Sequence, residues 1–447
     1  MEPNAVTENK RNIVTPSVFS GFMELLPAEQ MLFTQMLDTI KQTFESYGFI
    51  PLDTPVIEKS EVLLAKSGGD TAKQIYRFTK GDNDMALRFD LTVPLARYVA
   101  QHYNELTFPF RRYHIGKVYR GEKPQKGRFR EFYQCDIDII GNGALSVIND
   151  GEIVSVIYST FRALGFGNFT IMINNRKLLN GFFTHCEINN PAEVLRIVDK
   201  LDKVGPEAVR KELAAYMPAH RIDAVMDFIS LSGLPSDILQ ALQAFPIDHP
   251  QYREGLAELE AVCSHIAAFG VPQECFRLNL KIARGLDYYT GTVYETYLND
   301  YPQLGSICSG GRYDELASHY TKQTLPGVGI SIGLSRLFYQ LNEAGILHNG
   351  GRCTPTQLLF IPMQDTLSYT LEIAAQFRNA GVSTEVYLNE GKMGKKFAYA
   401  DKLGIPYAAA VGEDERQSGT VKIKNMKTGQ QFSVRTPAEF LQQLQLV

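Results

Sequence analysis

Apolar residues recur with a helical period near the start of the chain. Leu32, Met36, Ile40, Phe44 and Tyr47 share one stripe, with Pro27 at its beginning and Gly48 at its end, so residues 27–47 are predicted to form an amphipathic helix. Pro51–Glu58 then reads as a strand interrupted by Pro55. Proline cannot donate to a ladder, so that strand belongs at an edge or an interface. Residues 86–99 predict a short strand bearing Arg88 and Asp90 at alternate positions, followed by a helix begun by Pro94. A strand-like run holds Gln134, Asp136 and Asp138. A helix is expected over Asp150–Leu164 and a strand over Phe169–Asn174, ended by Asn175, Arg176 and Lys177.

From about residue 185 to 270 the pattern turns helical throughout. Val194, Val198 and Leu201, and later Leu256, Leu259, Cys263 and Ile266, are spaced for helices broken by Gly205-Pro206, Gly233-Leu234-Pro235 and Pro246. No chemistry stands out there. Leu278–Tyr297 reads as a strand, a polar turn and a second strand, Gly310–Asp314 as a turn into a helix, and Gly327–Arg336 as a glycine-spaced strand entering a helix. A linker near Gly350-Gly351 is followed by strands over Gln357–Met363 and Val382–Leu388. The helix between them carries Leu367, Leu371, Ala374 and Ala375 on one side. A helix over Met393–Leu403, a strand over Tyr407–Val411 and a hairpin about Lys427–Gly429 complete a small parallel or mixed sheet.

A length of 447 residues fits two or three domains, and 44% hydrophobic with 21% charged residues is ordinary for a globular protein. A net charge of −4 carries no global nucleic-acid signature, so any such binding must rest on local patches. Six scattered cysteines without C-x-x-C, and eight histidines without H-E-x-x-H, argue against a disulfide framework or a structural zinc site and fit a reducing, cytoplasmic compartment. No apolar run near Met1–Ser20 resembles a targeting signal, and no window approaches a membrane span. The Gly327–Gly333 spacing is not the dinucleotide fingerprint and no G-K-[ST] loop exists, so ATP would bind without a Walker loop.

The densest chemistry lies in Tyr119–Gly141, YRGEKPQKGRFREFYQCDIDIIG. From Arg111 to Arg130 there are eight Lys or Arg against one acid, Glu122. Either an exposed, solvated hairpin or a phosphate-binding loop has this composition. Beyond the loop, Asp136 and Asp138 alternate with isoleucines and so share a strand face, where buried carboxylates need partners or a ligand. Asp90 and Thr92 before a proline-started helix suit a helix cap equally well.

Tyr119–Gly141 closely resembles motif 2 of class II aminoacyl-tRNA synthetases, in the form used by the histidyl branch. The first helix with its proline-bearing strand is similar to motif 1, the dimer contact of that family. Gly327–Arg336 resembles motif 3, with Arg336 matching the motif's arginine. The resemblance runs through at least five segments in the family's order. It implies an α+β catalytic domain with a mostly antiparallel sheet flanked by helices (1–184 and 271–349), a helical insertion leaning towards the tRNA acceptor stem (185–270), and a C-terminal α/β anticodon-binding domain (350–447). The implied activity is a histidine–tRNA ligase: histidine and ATP, which enters with Mg2+ as a substrate complex, form histidyl-adenylate and diphosphate. The histidyl group then passes to the 3′ end of histidine tRNA. A cytoplasmic homodimer without a tightly bound cofactor, a protein-held metal or a membrane partner is expected.

The resemblance also implies roles for single residues. Arg120 would grip the α-phosphate and the histidine carboxylate, and Arg284, in ARGLDYY, would face the α-phosphate where other members place magnesium; these two are the expected catalytic residues. Arg336 would hold the terminal phosphates and Glu122 would lie near adenine. Asp90, Leu91 and Thr92, helped by Gln134, suit the ammonium, Asp138 and Tyr289 the imidazole, and Tyr288 and Tyr313 the walls. Arg284 with Asp287 could instead form a structural pair, and both wall tyrosines could be core. Lys123, Gln125, Lys126 and Arg128 would meet the acceptor end of tRNA. Lys392, Lys395, Lys396 and Lys402 offer either RNA contacts or a solvated helix face. The rival implied by resemblance is the catalytically silent paralogue that serves as regulatory subunit of an ATP-phosphoribosyltransferase. Such paralogues usually lack the C-terminal domain and often the ARGLDYY arginine, both present here.

Overall fold

The computed structural model describes residues 14–65, 69–188, 190–198, 200–282, 289–348 and 351–445. The chain divides into two compact units, one holding the segment up to Met23 with Thr39–Gln340, the other holding Glu24–Asp38 with Leu341 onward. Helix α1 (Pro27–Ser46) buries Phe33, Met36, Ile40 and Phe44 at helical spacing. The strand expected over residues 51–58 is two strands in different sheets, β1 (Ile50–Pro51) and β2 (Ile57–Lys59), with Pro55 between them. A residue without an N–H cannot continue either ladder, so the chain changes sheets there. Next come α2 (Ser60–Leu64), α3 (Gly69–Gln74), β3 (Arg77–Lys80) and β4 (Asn83–Leu87), with β2, β4 and β3 forming a three-stranded sheet. Arg88 and Asp90 lie just past β4, not within it. Helix α4 (Thr92–Gln101) starts two residues ahead of Pro94 because Asp90 caps it.

Strands β5 (Phe110–Tyr119) and β6 (Glu131–Ile140) pair antiparallel along their whole length, from Phe110 opposite Ile140 to Tyr119 opposite Glu131. Then follow α5 (Ile148–Ala163), β7 (Phe169–Asn175) and α6 (Arg176–His185). Helix α6 was not expected; the Asn175 side chain accepts from the Lys177 and Leu178 N–H groups and starts a helix where only a strand end was read. Helices α7 (Pro191–Val198), α8 (Leu201–Val204), α9 (Pro206–Leu213), α10 (Ala219–Ile229), α11 (Pro235–Ala244) and α12 (Pro250–Ala268) follow. Of these α7, α9, α11 and α12 begin on proline, tolerated where no intrahelical N–H is needed.

Strand β8 (Phe276–Leu278) ends where the first strand of Leu278–Tyr297 was expected to begin. After it come β9 (Thr292–Leu298), β10 (Cys308–Tyr313), β11 (Gly327–Ile332) and α13 (Leu334–Glu343). Gly310–Asp314, read as a turn into a helix, is mostly strand β10. A Cβ on Gly310 would overlap Gly329 O and one on Gly311 would sit 2.6 Å from Thr292 O, so these glycines admit close neighbours to a strand rather than making a turn. The large sheet has the order β1-β5-β6-β11-β10-β9-β7-β8. Its two parallel pairings, β1–β5 and β7–β8, are outermost and all others are antiparallel.

In the C-terminal unit, β12 (Leu358–Pro362), α14 (Leu367–Asn379), β13 (Thr384–Val386), α15 (Met393–Lys402), β14 (Tyr407–Val411), α16 (Glu413–Ser418), β15 (Val421–Asn425), β16 (Gln431–Val434) and α17 (Pro437–Gln445) build a mixed sheet ordered β13-β12-β14-β15-β16. Helix α14 does not bury the expected Leu367–Leu371 line. It buries Thr370, Ile373, Ala374 and Phe377, because Phe377 packs edge-on to Phe360 of the sheet and against Phe440.

The eight-stranded sheet is pinned from behind by a buried ion pair. Arg312 of β10 donates through Nε to both oxygens of Asp150, 3.1 Å each, in the first turn of α5, and through its other nitrogens to Leu145 O and Ser146 O. Replacing Arg312 by Leu leaves a carboxylate buried without its cation. The variant is expected to lose about 3–5 kcal/mol in urea unfolding; a loss below about 1 kcal/mol would show that the pair is not holding α5 to the sheet.

Candidate active site

The front face of the sheet is organised by strand register. Opposed residues share a face, so Arg112, Asp138, Gly329 and Gly311 form one row across β5, β6, β11 and β10; His114, Asp136, Ser331 and Ser309 form the next. Gly329 is required in the first row. A Cβ there would overlap Asp138 Oδ1 and Ile137 O, so only glycine leaves room for the carboxylate.

A cleft of about 440 Å³ opens over this face. Asp90, Thr92, Gln134, Asp136, Asp138, Tyr289 and Tyr313 line it, and so do Arg120, Glu122, Arg128 and Arg336. The carboxylates lie over Arg112, which is completely buried. Its Nη2 is 2.5 Å from Asp138 Oδ2 and also donates to Leu91 O at 3.3 Å. Asp138 Oδ1 accepts from the Tyr313 hydroxyl at 2.5 Å. Burial pushes the Asp138 pKa up to about 6 against the pull of Arg112 and Tyr313, while Asp90 adds to the rise. Burial raises Asp136 further, to about 7, against Arg112 and Ser331, with Asp138 and Asp90 again adding. Asp90 is raised by burial as well, opposed by the Val93 N–H, the Arg120 charge and the Thr92 N–H. Its Oδ1 accepts from Thr92 N–H at 3.1 Å and Val93 N–H at 2.9 Å. One side chain thus caps α4 and still lines the cleft. Three acids around one guanidinium make this end suit a cation and N–H donors.

Guanidinium groups line the same cleft, and the charge of Arg120 reaches Asp90. Arg120 donates through Nε to Phe89 O and lies between two rings, 4.4 Å from the Phe89 centroid and 5.1 Å from that of Phe132. Arg336, in the first turn of α13, donates to Leu304 O at 2.9 Å. Burial and the charge of Arg128 lower its pKa, the position of cations that an anion would relieve. Glu122 is 3.9 Å from Arg128. In the loop, Gln125 and Arg128 exchange backbone hydrogen bonds around Gly127 (φ 72°), leaving Lys123, Gln125, Lys126 and Arg128 exposed at the rim. Among the described residues expected to bind histidine or ATP, Leu91 alone does not line the cleft. It is fully buried and contributes its carbonyl to Arg112. Arg284 and Tyr288 lie outside the described residues.

The sequence reading left Arg112, Ser331 and the role of Asp136 unassigned. The signal for Arg112 was present: it is on the same strand parity as His114, across from the acid-bearing strand. Only the register, invisible in the sequence, sets it against Asp138.

An antiparallel sheet carrying acids and arginines on one face, with a separate C-terminal α/β unit, defines a catalytic domain of the class II aminoacyl-tRNA synthetase kind. The family model of histidyl-tRNA synthetase matches residues 21–337, and that of the anticodon-binding domain matches residues 357–445. A histidine–tRNA ligase of Clostridium tetani is 58% identical over 426 residues, spanning 95% of this chain and 97% of its own; one of Stenotrophomonas maltophilia is 48% identical, spanning 94% and 96%. The crystal structure of histidyl-tRNA synthetase from Nostoc sp. PCC 7120 superposes with a TM-score of 0.89 at 40% identity, covering 97% of this chain and 99% of that one. The chain belongs to the histidyl-tRNA synthetase family. A Bacillus halodurans structure described as an ATP phosphoribosyltransferase regulatory subunit/histidyl-tRNA synthetase shares the fold at 22% identity, with a TM-score of 0.73 over 87% of this chain and 98% of its own. The regulatory reading is the less supported of the two.

The tight fit at Gly329 gives a direct test. Gly329→Ala is expected to cost about 1–3 kcal/mol in chemical unfolding by overpacking. Gly333→Ala, where a Cβ meets nothing within 4 Å, should be near neutral. Equal stability of the two variants would contradict the geometry.

Proposed function

We propose that the chain activates histidine with ATP and transfers it to the 3′ end of histidine tRNA. The observation that carries this reading is the division of charge within one cleft, which buried acids and guanidinium groups line together. Asp90, Thr92 and Gln134 receive the ammonium, and Asp138 and Tyr289 receive the imidazole nitrogens. The carboxylate is thereby turned towards Arg120. A carboxylate oxygen bonds to the α-phosphorus of ATP as the bond to the β-phosphate bridging oxygen breaks, giving histidyl-adenylate and diphosphate. Arg120, with Arg284, offsets the charge gathering on the α-phosphate, and Arg336 holds the terminal phosphates near Glu122 and the adenine. Mg2+ arrives with the nucleotide. A ribose hydroxyl of the tRNA then attacks the carbonyl carbon and AMP leaves. Lys123, Gln125, Lys126 and Arg128 at the rim receive the acceptor end, and the unit after residue 350 reads the anticodon.

The rejection of other amino acids follows from the same groups. A pocket of buried acceptors left unpaired discriminates by roughly 10⁴ or more, without editing. The chain works as a homodimer. β1 lies at the sheet edge, and Ile50, Val56 and Ile57 beside it are exposed apolar residues. Its place of work is the cytoplasm, where its tRNA is found; no described helix is long and apolar enough to cross a membrane.

Labelled diphosphate should exchange into ATP only when histidine is present, and Arg120→Ala should lower the exchange rate by about 10²–10³. Histidine-independent exchange, or none at all from the unaltered protein, would overturn this function and favour the regulatory reading.

A further inference from the structure

Three polar side chains on the front face form a chain with one sense of direction. Ser331 lies opposite Asp136 across β6 and β11, and Gln134 is two residues from Asp136 on the same face. Gln134 Nε2 donates to Ser331 Oγ at 2.6 Å. The Ser331 hydroxyl in turn bonds the Asp136 carboxylate, which as an anion can only accept. Asp136 is 2% exposed, and its Oδ1 has no partner among the described residues. Gln134 Oε1 is likewise buried and without a partner, and both side chains line the cleft.

We propose that Asp136, acting through Ser331, is a positioning residue that fixes which way the Gln134 amide faces, presenting its carbonyl oxygen to the ammonium of the bound amino acid. This rests on the histidine-activating function proposed above. An ionised Asp136 takes the serine proton, so Ser331 offers Gln134 only a lone pair. The amide must then give it Nε2–H, which turns Oε1 into the cleft. With no acceptor in place of the carboxylate, the chain reverses. The serine proton goes to Oε1, and the amide NH2 faces the ammonium and repels it. Asp138 does not serve this task because the register sets it opposite Gly329, with Ser331 opposite Asp136.

Asp136→Leu keeps the branching and removes the acceptor. In histidine-dependent diphosphate exchange, its KM for histidine should rise roughly tenfold or more, the loss of a hydrogen bond to a charged group. The kcat and the KM for ATP should stay within about twofold. Inhibition by imidazole-propionate, histidine without its ammonium, should also stay within about twofold. Ser331→Ala breaks the chain at its middle and should give the same split, which guards against a folding defect in the first variant. In a Gln134→Glu background, whose two equivalent oxygens leave no orientation to choose, Asp136→Leu should add less than about twofold. Equal weakening of histidine and imidazole-propionate, an unchanged KM, or a full tenfold effect in the Gln134→Glu background would each overturn the positioning role. Absence of histidine-dependent exchange in the unaltered protein would instead overturn the function on which it rests.

Discussion

One completely buried guanidinium, that of Arg112, makes the front of this sheet possible. Asp90, Asp136 and Asp138 are all nearly withdrawn from water, and burying an ion costs several kcal/mol unless it is paired. Arg112 pulls down the pKa of each of the three, yet burial still leaves Asp136 and Asp138 raised. The site is therefore underneutralised, a condition that a ligand bearing an ammonium and ring N–H groups relieves. Acids stand here where apolar packing would be more stable, a cost that the proposed recognition of histidine would explain.

Everything near Arg112 follows from keeping that pair intact. The β5–β6 register sets it opposite Asp138, Gly329 leaves the space, and Tyr313 reaches from β10 to take the other oxygen. The reverse face carries the apolar core and the Arg312–Asp150 pair, so each strand is polar towards the cleft and anchored behind. Groups carried on paired strands hold their spacing better than groups on loops. The basic loop between β5 and β6 adds its charge at the rim of the cleft.

How much of this the sequence disclosed depended on the length scale. The period-two run through Gln134, Asp136 and Asp138 placed all three on one face, and the glycine-spaced strand ahead of Arg336 was read correctly. Asp90 was read as either cap or ligand group, and the structure has it capping α4 from the wall of the cleft. Misreadings arose where a residue serves a distant neighbour. Gly310 and Gly311 look like a turn in the sequence, but their use is to admit other strands and the Tyr289 ring. Pro55 reads in the sequence as interrupting one edge strand, whereas it separates strands of two sheets. Arg112 looked like one more charge in a basic run. Its partner stands across a strand pairing that no local pattern reveals.

The most direct measurement is a crystal structure with a non-hydrolysable histidyl-adenylate analogue bound. The imidazole should lie about 3 Å from the Asp138 carboxylate, the ammonium against Asp90 and Gln134, and the phosphate-mimicking group within hydrogen-bond reach of Arg120. An analogue bound in the opposite sense, with its adenosine over Asp136 and Asp138, or seated outside this cleft, would contradict the division of charge from which the chemistry was derived.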